Sequence, residues 1–229
     1  MTRWAERFFI LLQKELLLEA RGRELVVLLA CGSIMSAALV GAGVSSAVLD
    51  YETTRKLFPM LLWVVFLLSV TSASVRVNEA ELEGRGYEGL LLAGATAPQL
   101  YLSKLIVSAS IFWLDWCLLV ALLALALDQN LSSIVLSLVG IGALSSLTLA
   151  ALIVLLAAIT GTSKMRGVLL PLITIPLLFP LFFAGVELTT SALLYGSFEP
   201  SSVWVSVLVV SFTTFVLVGI NTYGAAISE

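Results

Sequence analysis

The sequence predicts an all-α integral membrane protein with six transmembrane helices preceded by an amphipathic helix. Of its 229 residues, 60% are hydrophobic and only 12% are charged, whereas soluble domains carry about a quarter charged residues. The mean hydropathy is +1.09, and six stretches are long enough to cross a bilayer, which needs roughly 20 apolar residues per helix. This composition excludes a soluble enzyme, a secreted disulfide scaffold, a disordered protein and a nucleic-acid binder with a basic face.

Residues 1–24 are predicted to form an amphipathic helix in the membrane interface. Most charged and polar side chains fall on one side of a helical wheel, and Trp4, Phe8 and Phe9 fall mostly opposite. Glu15 and Glu19 interrupt this pattern. Two roles remain open for the helix: a membrane anchor, or an elbow that also contacts a cytoplasmic partner.

Six apolar spans follow, each bounded by charged or polar residues or by a short turn. They are residues 25–49, 57–75, 105–127, 131–160, 168–186 and 203–220. The fourth span is long enough that it must tilt, kink or leave the membrane. The connection from Glu187 to Ser202 has room for a small interfacial helix around Leu193 and Tyr195.

The basic residues predict the orientation, because positively charged loops stay on the cytoplasmic side. If the N-terminus is inside, only Arg55 and Lys56 of the 12 lysines and arginines lie outside. Both termini are therefore predicted to be cytoplasmic.

Residues 76–104 form the only long connection on the predicted cytoplasmic side. Glycines on both sides bracket a short apolar helix within it. Its leucines, Leu90, Leu91 and Leu92, need burial either at the membrane interface or in a groove on another protein. Thr96 is predicted to cap the helix of the third span, with Pro98 in its first turn.

Asp115 lies near the centre of the third span. An ionised aspartate at that depth costs about 2.5 to 3.5 kcal/mol, so the side chain is expected to be protonated, partnered or in a wet cavity. Two roles remain open: a structural hydrogen bond to a serine, a threonine or the backbone, or a contact with substrate or a partner.

The fifth span contains three prolines, Pro171, Pro176 and Pro180. Each removes a backbone hydrogen bond, which predicts helix kinks. A hinge or lateral opening and purely structural kinking both remain open.

The residue types present also limit the chemistry of the chain. Histidine is absent, which removes the commonest general base, metal ligand and haem ligand. Cys31 and Cys117 lie in apolar stretches without further ligands nearby, so no metal site is predicted. No second intramembrane carboxylate accompanies Asp115, and no P-loop sequence is present. The chain is therefore predicted not to be an enzyme and not to bind ATP.

Two segments resemble known transporter proteins, the first a broad class and the second a particular family. Residues 86–104, GYEGLLLAGATAPQLYLSK, resemble the first cytoplasmic loop of ABC-2-type transporter permeases. Residues 167–183, GVLLPLITIPLLFPLFF, resemble the haem exporter protein B family, CcmB, the membrane subunit of the ABC transporter for cytochrome c maturation. The length, the six spans and the amphipathic start fit as well, so the resemblance covers nearly the whole chain. The chain departs from the family's pattern in having Phe112 before Trp113 instead of a histidine, and in having Asp115 and an extra proline at Pro171.

The resemblance implies an ABC-2-type permease in which residues 87–94 form a coupling helix that docks on a cytoplasmic ATP-binding subunit. The implied contacts are Arg85, Gly86, Tyr87, Glu88, Leu90, Leu91 and Leu92. Lys164 and Arg166 lie on the same side as a second contact, although retention of positive charge inside the cell explains them equally well.

The resemblance further implies a permease subunit of the bacterial inner membrane, in two copies with two ATP-binding subunits that hold ATP and Mg. Hydrolysis would be coupled to haem delivery or to release of a haem-loaded periplasmic chaperone, with a haem-handling membrane protein as a further partner. Haem would be a substrate of the complex, and the chain itself would hold no cofactor. The alternatives are a general ABC-2 exporter subunit for lipid, drug or polysaccharide, and a membrane scaffold without transport.

Overall fold

A computed structural model of the chain describes residues 2–74, 89–90, 94–160, 165–197 and 202–226. Within these residues the long elements are all helices, and no strand is present. The helices are α1 (Thr2–Gly22), α2 (Glu24–Ser46), α3 (Tyr51–Ala73), α4 (Ala97–Ala126), α5 (Val135–Ile159), α6 (Arg166–Tyr195) and α7 (Val203–Ala226). Helices α2 to α7 are each long and apolar enough to cross a membrane. The predicted all-α architecture of six spans after an N-terminal helix is therefore confirmed.

Helix α5 lies at the centre of the bundle. It packs against α4, α6 and α7, and every residue from Leu149 to Val154 is at most 1% exposed. Its sequence is apolar on all sides, as expected for a helix surrounded by other helices. Helix α2 packs on α3 and α4, while α3 also packs on α6, which completes the bundle.

Trp63, Phe66 and Trp116 form an aromatic cluster that joins α3 and α4. The ring centroids of Trp63 and Trp116 are 4.8 Å apart, and Phe66 meets Trp116 edge-on with centroids 4.9 Å apart. Trp63 Nε1 donates to Thr189 Oγ1 of α6, and Trp116 Nε1 donates to the carbonyl of Leu138 of α5, both at 3.0 Å. Since each buried indole N–H has a partner, both rings are fixed in orientation.

Helices α3 and α4 begin before the predicted apolar spans. Helix α3 begins at Tyr51 because Asp50 caps it, accepting a hydrogen bond from the Thr53 N–H at 3.3 Å. The bonds from Thr53 lower the pKa of the Asp50 carboxyl. Helix α4 begins at Ala97, so the last part of the predicted loop at residues 76–104 is already helical.

Helix α6 continues past its predicted end. No separate helix forms around Leu193 and Tyr195, because α6 runs to Tyr195 and ends at Gly196, which has a φ of +80°. Arg55 Nη2 donates to the Leu193 carbonyl at 3.1 Å and so ties the end of α6 to the start of α3. The sequence pattern missed this extension because Glu187 marks the end of the apolar run without ending the helix.

The three prolines of the fifth span lie inside α6, which remains helical through Pro171, Pro176 and Pro180. Pro176 and Pro180 are exposed on the outside of the bundle. Leu178 and Leu181, on the opposite side of the helix, are buried. Each of these two prolines leaves one carbonyl without a backbone N–H donor, but the helix is otherwise intact.

Candidate functional site

The end of the predicted cytoplasmic loop is fixed at Gly94. Gly94 has a φ of +84°, and the Ala95 N–H donates to the Leu90 carbonyl at 3.0 Å. A glycine in the left-handed region followed by such a bond is typical of a helix C-terminus. Leu90 is half-buried and packs against the core of the bundle, so the end of the loop is attached to the spans.

Helix α4 starts immediately after this point in a capping box. The Thr96 N–H donates to Gln99 Oε1 at 3.0 Å, and Pro98 occupies the first turn, as the sequence predicted. Gln99 is 1% exposed, and its Nε2 donates to the Trp4 carbonyl of α1 at 3.1 Å. One buried amide therefore caps α4 and also binds α1.

Helix α1 also holds the loop end directly. Arg7 Nη1 donates to the Gly94 carbonyl at 2.7 Å. The guanidinium lies so close that a Cβ at position 94 would be 3.2 Å from it. The backbone conformation therefore favours glycine at position 94, and a Cβ there would also require a small shift of the Arg7 side chain.

A buried ion pair forms the centre of the contact between α1 and α4. Lys104 Nζ lies 3.2 Å from Glu15 Oε2, and Lys14 Nζ lies 3.0 Å from Glu15 Oε1. Lys104 is 5% exposed and Glu15 is 8% exposed. A buried carboxylate needs such partners because its desolvation is otherwise very costly.

Glu19 extends the same acidic face of α1 to the start of α2. Burial raises the pKa of its carboxyl, while the backbone N–H groups of Val26 and Leu25 act in the opposite direction. Its position suits a carboxylate, because the first turn of a helix carries a partial positive charge. Glu15 therefore bonds α1 to α4, and Glu19 lies beside the first turn of α2.

This charged junction was not among the features predicted from the sequence. Lys104 contributed there only as one of the basic residues that set the orientation, and Glu15 and Glu19 only as interruptions of an amphipathic pattern. The sequence nevertheless contained a sign of the junction. Glu15 and Glu19 follow Leu11 at intervals of four residues, so they lie on the same face of α1 as this buried leucine. Glutamates almost never occur on a buried face unless they are paired.

The structure describes two of the predicted ATPase-contact residues, Leu90 and Arg166. Leu90 is described, but Arg85, Gly86, Tyr87, Glu88, Leu91, Leu92 and Lys164 lie outside the described residues. Arg166 is the first residue of α6. The geometry thus defines the end of the predicted coupling segment and its attachment to the bundle, while the contact surface itself stays a prediction.

Asp115 is hydrogen-bonded within the bundle. Ser33 Oγ of α2 donates to Asp115 Oδ1 at 2.7 Å. Asp115 is 5% exposed, and among the described residues Oδ2 has no hydrogen-bond partner. The carboxyl also borders an apolar cavity of about 90 Å³ between α2 and α4. A structural hydrogen bond to a serine, one of the two roles left open by the sequence, is therefore present.

Removing the Ser33 hydroxyl is expected to destabilise the bundle. Ser33→Ala leaves the buried Asp115 without the hydroxyl that donates to its Oδ1, at a cost of about 1–3 kcal/mol. Asp115→Asn keeps an acceptor for Ser33 and should cost less. Thermal unfolding of the purified variants in detergent measures both effects. Ser36→Ala, the same change at a half-buried position of α2, serves as the control, and an equal loss in both serine variants would contradict the assigned role.

Comparison with known families identifies the kind of protein that contains this junction. The family model described as CcmB protein matches residues 6–228, from the first turns of α1 to beyond the end of α7. The chain belongs to the CcmB family. No curated protein matches the chain.

Family membership carries a general function with it. CcmB proteins are the membrane component of a haem-exporting ABC transporter for cytochrome c maturation. This CcmB-family chain is therefore a multi-pass transporter subunit, and its family works with an ATP-binding subunit. Membership favours a role with haem over the general exporter and the passive scaffold.

Proposed function

We propose that this chain couples ATP hydrolysis by a separate cytoplasmic subunit to haem delivery, or to release of a haem-loaded periplasmic chaperone, in the bacterial inner membrane. The observation that carries the proposal is the double attachment of the loop end. Gly94 is bound to Arg7 of α1, and Lys104, further along α4, is paired with Glu15 of the same helix.

This attachment provides a path for coupling. A subunit that moves the loop displaces α1 and α4 together, because both helices are bonded to the same short segment. Glu19 places a carboxyl group of α1 beside the first turn of α2. Coupling requires that the nucleotide state of the partner favour one packing of the helices over another.

The charge distribution supports cytoplasmic termini. Within the described residues, Arg7, Lys14, Arg21 and Lys104 lie at the end of the bundle that α1 covers, whereas Arg55 and Lys56 lie at the opposite end, in the first turns of α3. Because positive charge is retained inside the cell, the end with α1 is the cytoplasmic one. The loop that ends at Gly94 then faces a cytoplasmic ATP-binding subunit, in a complex with two copies of each chain.

Docking of that subunit is expected to depend on the leucines of the coupling helix. Leu91→Asp places a charge in the apolar contact and should reduce recovery of the ATP-binding subunit at least ~10-fold, since desolvating an unpaired carboxylate costs several kcal/mol. The measurement is co-purification from native membranes in mild detergent. Val48→Asp puts the same charge at an exposed turn at the other end of the bundle and should leave recovery unchanged.

Mass spectrometry of the proteins that co-purify with the wild-type chain tests the complete proposal. Recovery of an ATP-binding subunit together with haem-handling membrane proteins is the expected result. An ATP-binding subunit recovered alone favours a general exporter. Absence of any ATP-binding subunit, or normal recovery with Leu91→Asp, would overturn the proposed coupling.

A further inference from the structure

Tyr101 joins α4 to two other helices. Its hydroxyl donates to the Ala151 carbonyl of α5 at 2.9 Å, and the Phe215 carbonyl of α7 lies within hydrogen-bond distance of the same oxygen at 3.2 Å. The side chain is fully buried, and a buried phenol needs such partners because water cannot reach it. Tyr101 therefore connects α4, α5 and α7 through one oxygen atom.

The phenol ring is held against one stripe of α7. Phe215, Gly219 and Tyr223 recur every four residues and so lie on one face of this helix. A Cβ on Gly219 would lie 2.3 Å from the Tyr101 ring, and the ring centroids of Tyr101 and Tyr223 are 5.4 Å apart. The lack of a side chain at Gly219 thus lets the phenol reach the backbone of α7.

The same short segment of α4 carries the bonds to α1. Gln99 Nε2 donates to the Trp4 carbonyl at 3.1 Å, and Lys104 Nζ lies 3.2 Å from Glu15 Oε2. Tyr101 lies between Gln99 and Lys104 in the sequence. When α1 and α4 move together, the distances from the Tyr101 hydroxyl to its two acceptors must therefore change unless α5 and α7 follow.

One proton serves both carbonyls. A phenol carries a single O–H, so Tyr101 donates strongly either to Ala151 or to Phe215. Both residues lie inside helices, where the carbonyl also accepts a backbone hydrogen bond. Each carbonyl therefore keeps its backbone bond when the phenol donates to the other one. Exchange between the acceptors costs little, whereas loss of both would leave a buried donor unpaired.

We propose that Tyr101 is a positioning residue for coupling, whose hydroxyl exchanges between the Ala151 and Phe215 carbonyls as α4 moves relative to α5 and α7. Each acceptor corresponds to one packing of the three helices, and the nucleotide state of the partner subunit selects between them. A coupling path requires such an element with two states. This inference rests on the proposed function, because the ATP-binding subunit drives the movement of α4.

A distance measurement between α4 and α7 in the intact complex tests this role. Spin labels are attached to Leu125→Cys of α4 and Val203→Cys of α7, at positions that are 82% and 72% exposed, in a chain with Cys31→Ser and Cys117→Ser. An excess of unlabelled chain is co-expressed so that distances within one chain dominate. Double electron–electron resonance compares the nucleotide-free complex with the complex trapped by ATP, Mg and orthovanadate. With Tyr101 present, the distance should differ between the two states.

Removal of the hydroxyl should abolish this difference. Tyr101→Phe keeps the ring and should retain the ATP-binding subunit, but it has no O–H to exchange between two acceptors. Thr174→Val is the matched control, because Thr174 is also fully buried and its hydroxyl donates within α6, to Leu170. The control should keep the difference in distance. An equal loss in both variants would indicate a general effect of lost stability and would overturn the assigned role.

The two proposals fail separately. Leu91→Asp tests the coupling contact through recovery of the ATP-binding subunit, whereas Tyr101→Phe tests this inference through the label distance with that subunit still bound. Normal recovery in Leu91→Asp would overturn the coupling contact. A distance change that persists in Tyr101→Phe, or that is absent when Tyr101 is present, would overturn the role of Tyr101 alone.

Discussion

Lys104→Met is expected to lower the free energy of unfolding by about 3 kcal/mol, the range found when one member of a buried ion pair is removed. Glu15 would keep its contact with Lys14 at 3.0 Å but would lose the ammonium group at 3.2 Å that comes from α4. The carboxylate stays only 8% exposed, so water cannot replace Lys104. Because this pair joins α1 to α4, transport coupling should fail together with stability.

A double-mutant cycle separates the pair from the individual side chains. Glu15→Gln with Lys104→Met removes both charges, and its loss should be smaller than the sum of the two single losses. Thermal unfolding in detergent gives the stabilities, and ATPase activity of the purified complex gives the coupling. Lys56→Met removes an exposed lysine at the other end of the bundle and should change neither quantity. Strictly additive losses in the cycle would contradict a direct interaction.

Gly142→Ala is expected to destabilise the protein by about 3 kcal/mol, at the upper end of the usual cost of overpacking. The added Cβ would lie 2.1 Å from the indole of Trp116. That ring cannot move away easily, because Trp63 and Phe66 pack against it and its Nε1 is bonded to Leu138. Gly185→Ala should act similarly, since its Cβ would lie 2.2 Å from Trp63.

The same substitution at Gly43 should change the stability in the opposite direction. Gly43 also lies inside a helix, but a Cβ there has nothing within 4 Å. Gly43→Ala should therefore stabilise α2 by up to about 1 kcal/mol, the difference in helix propensity between the two residues. The unfolding temperatures of the variants measure both directions. A similar shift in Gly142→Ala and Gly43→Ala would contradict the packing around Trp116.

The aromatic residues show the limit of hydropathy as a guide. Trp63 and Phe66 are fully buried, whereas Phe179 and Phe183 are more than half exposed. In a membrane protein, a side chain that faces lipid and one that faces another helix are both apolar. The sequence therefore predicted the spans but not which face of each span packs inward.

The sequence by itself determined the helical class, the six spans, the amphipathic first helix, the cap of α4 at Thr96 and the family. Each of these depends on residues close together in the chain, whose periodicity and turn chemistry are local properties. Only the tertiary structure decided which polar groups meet. Glu15 and Lys104 are 89 residues apart, and Ser33 and Asp115 are 82 apart. Such pairs depend on which helices become neighbours, and that is set by packing over the whole bundle rather than by any local pattern.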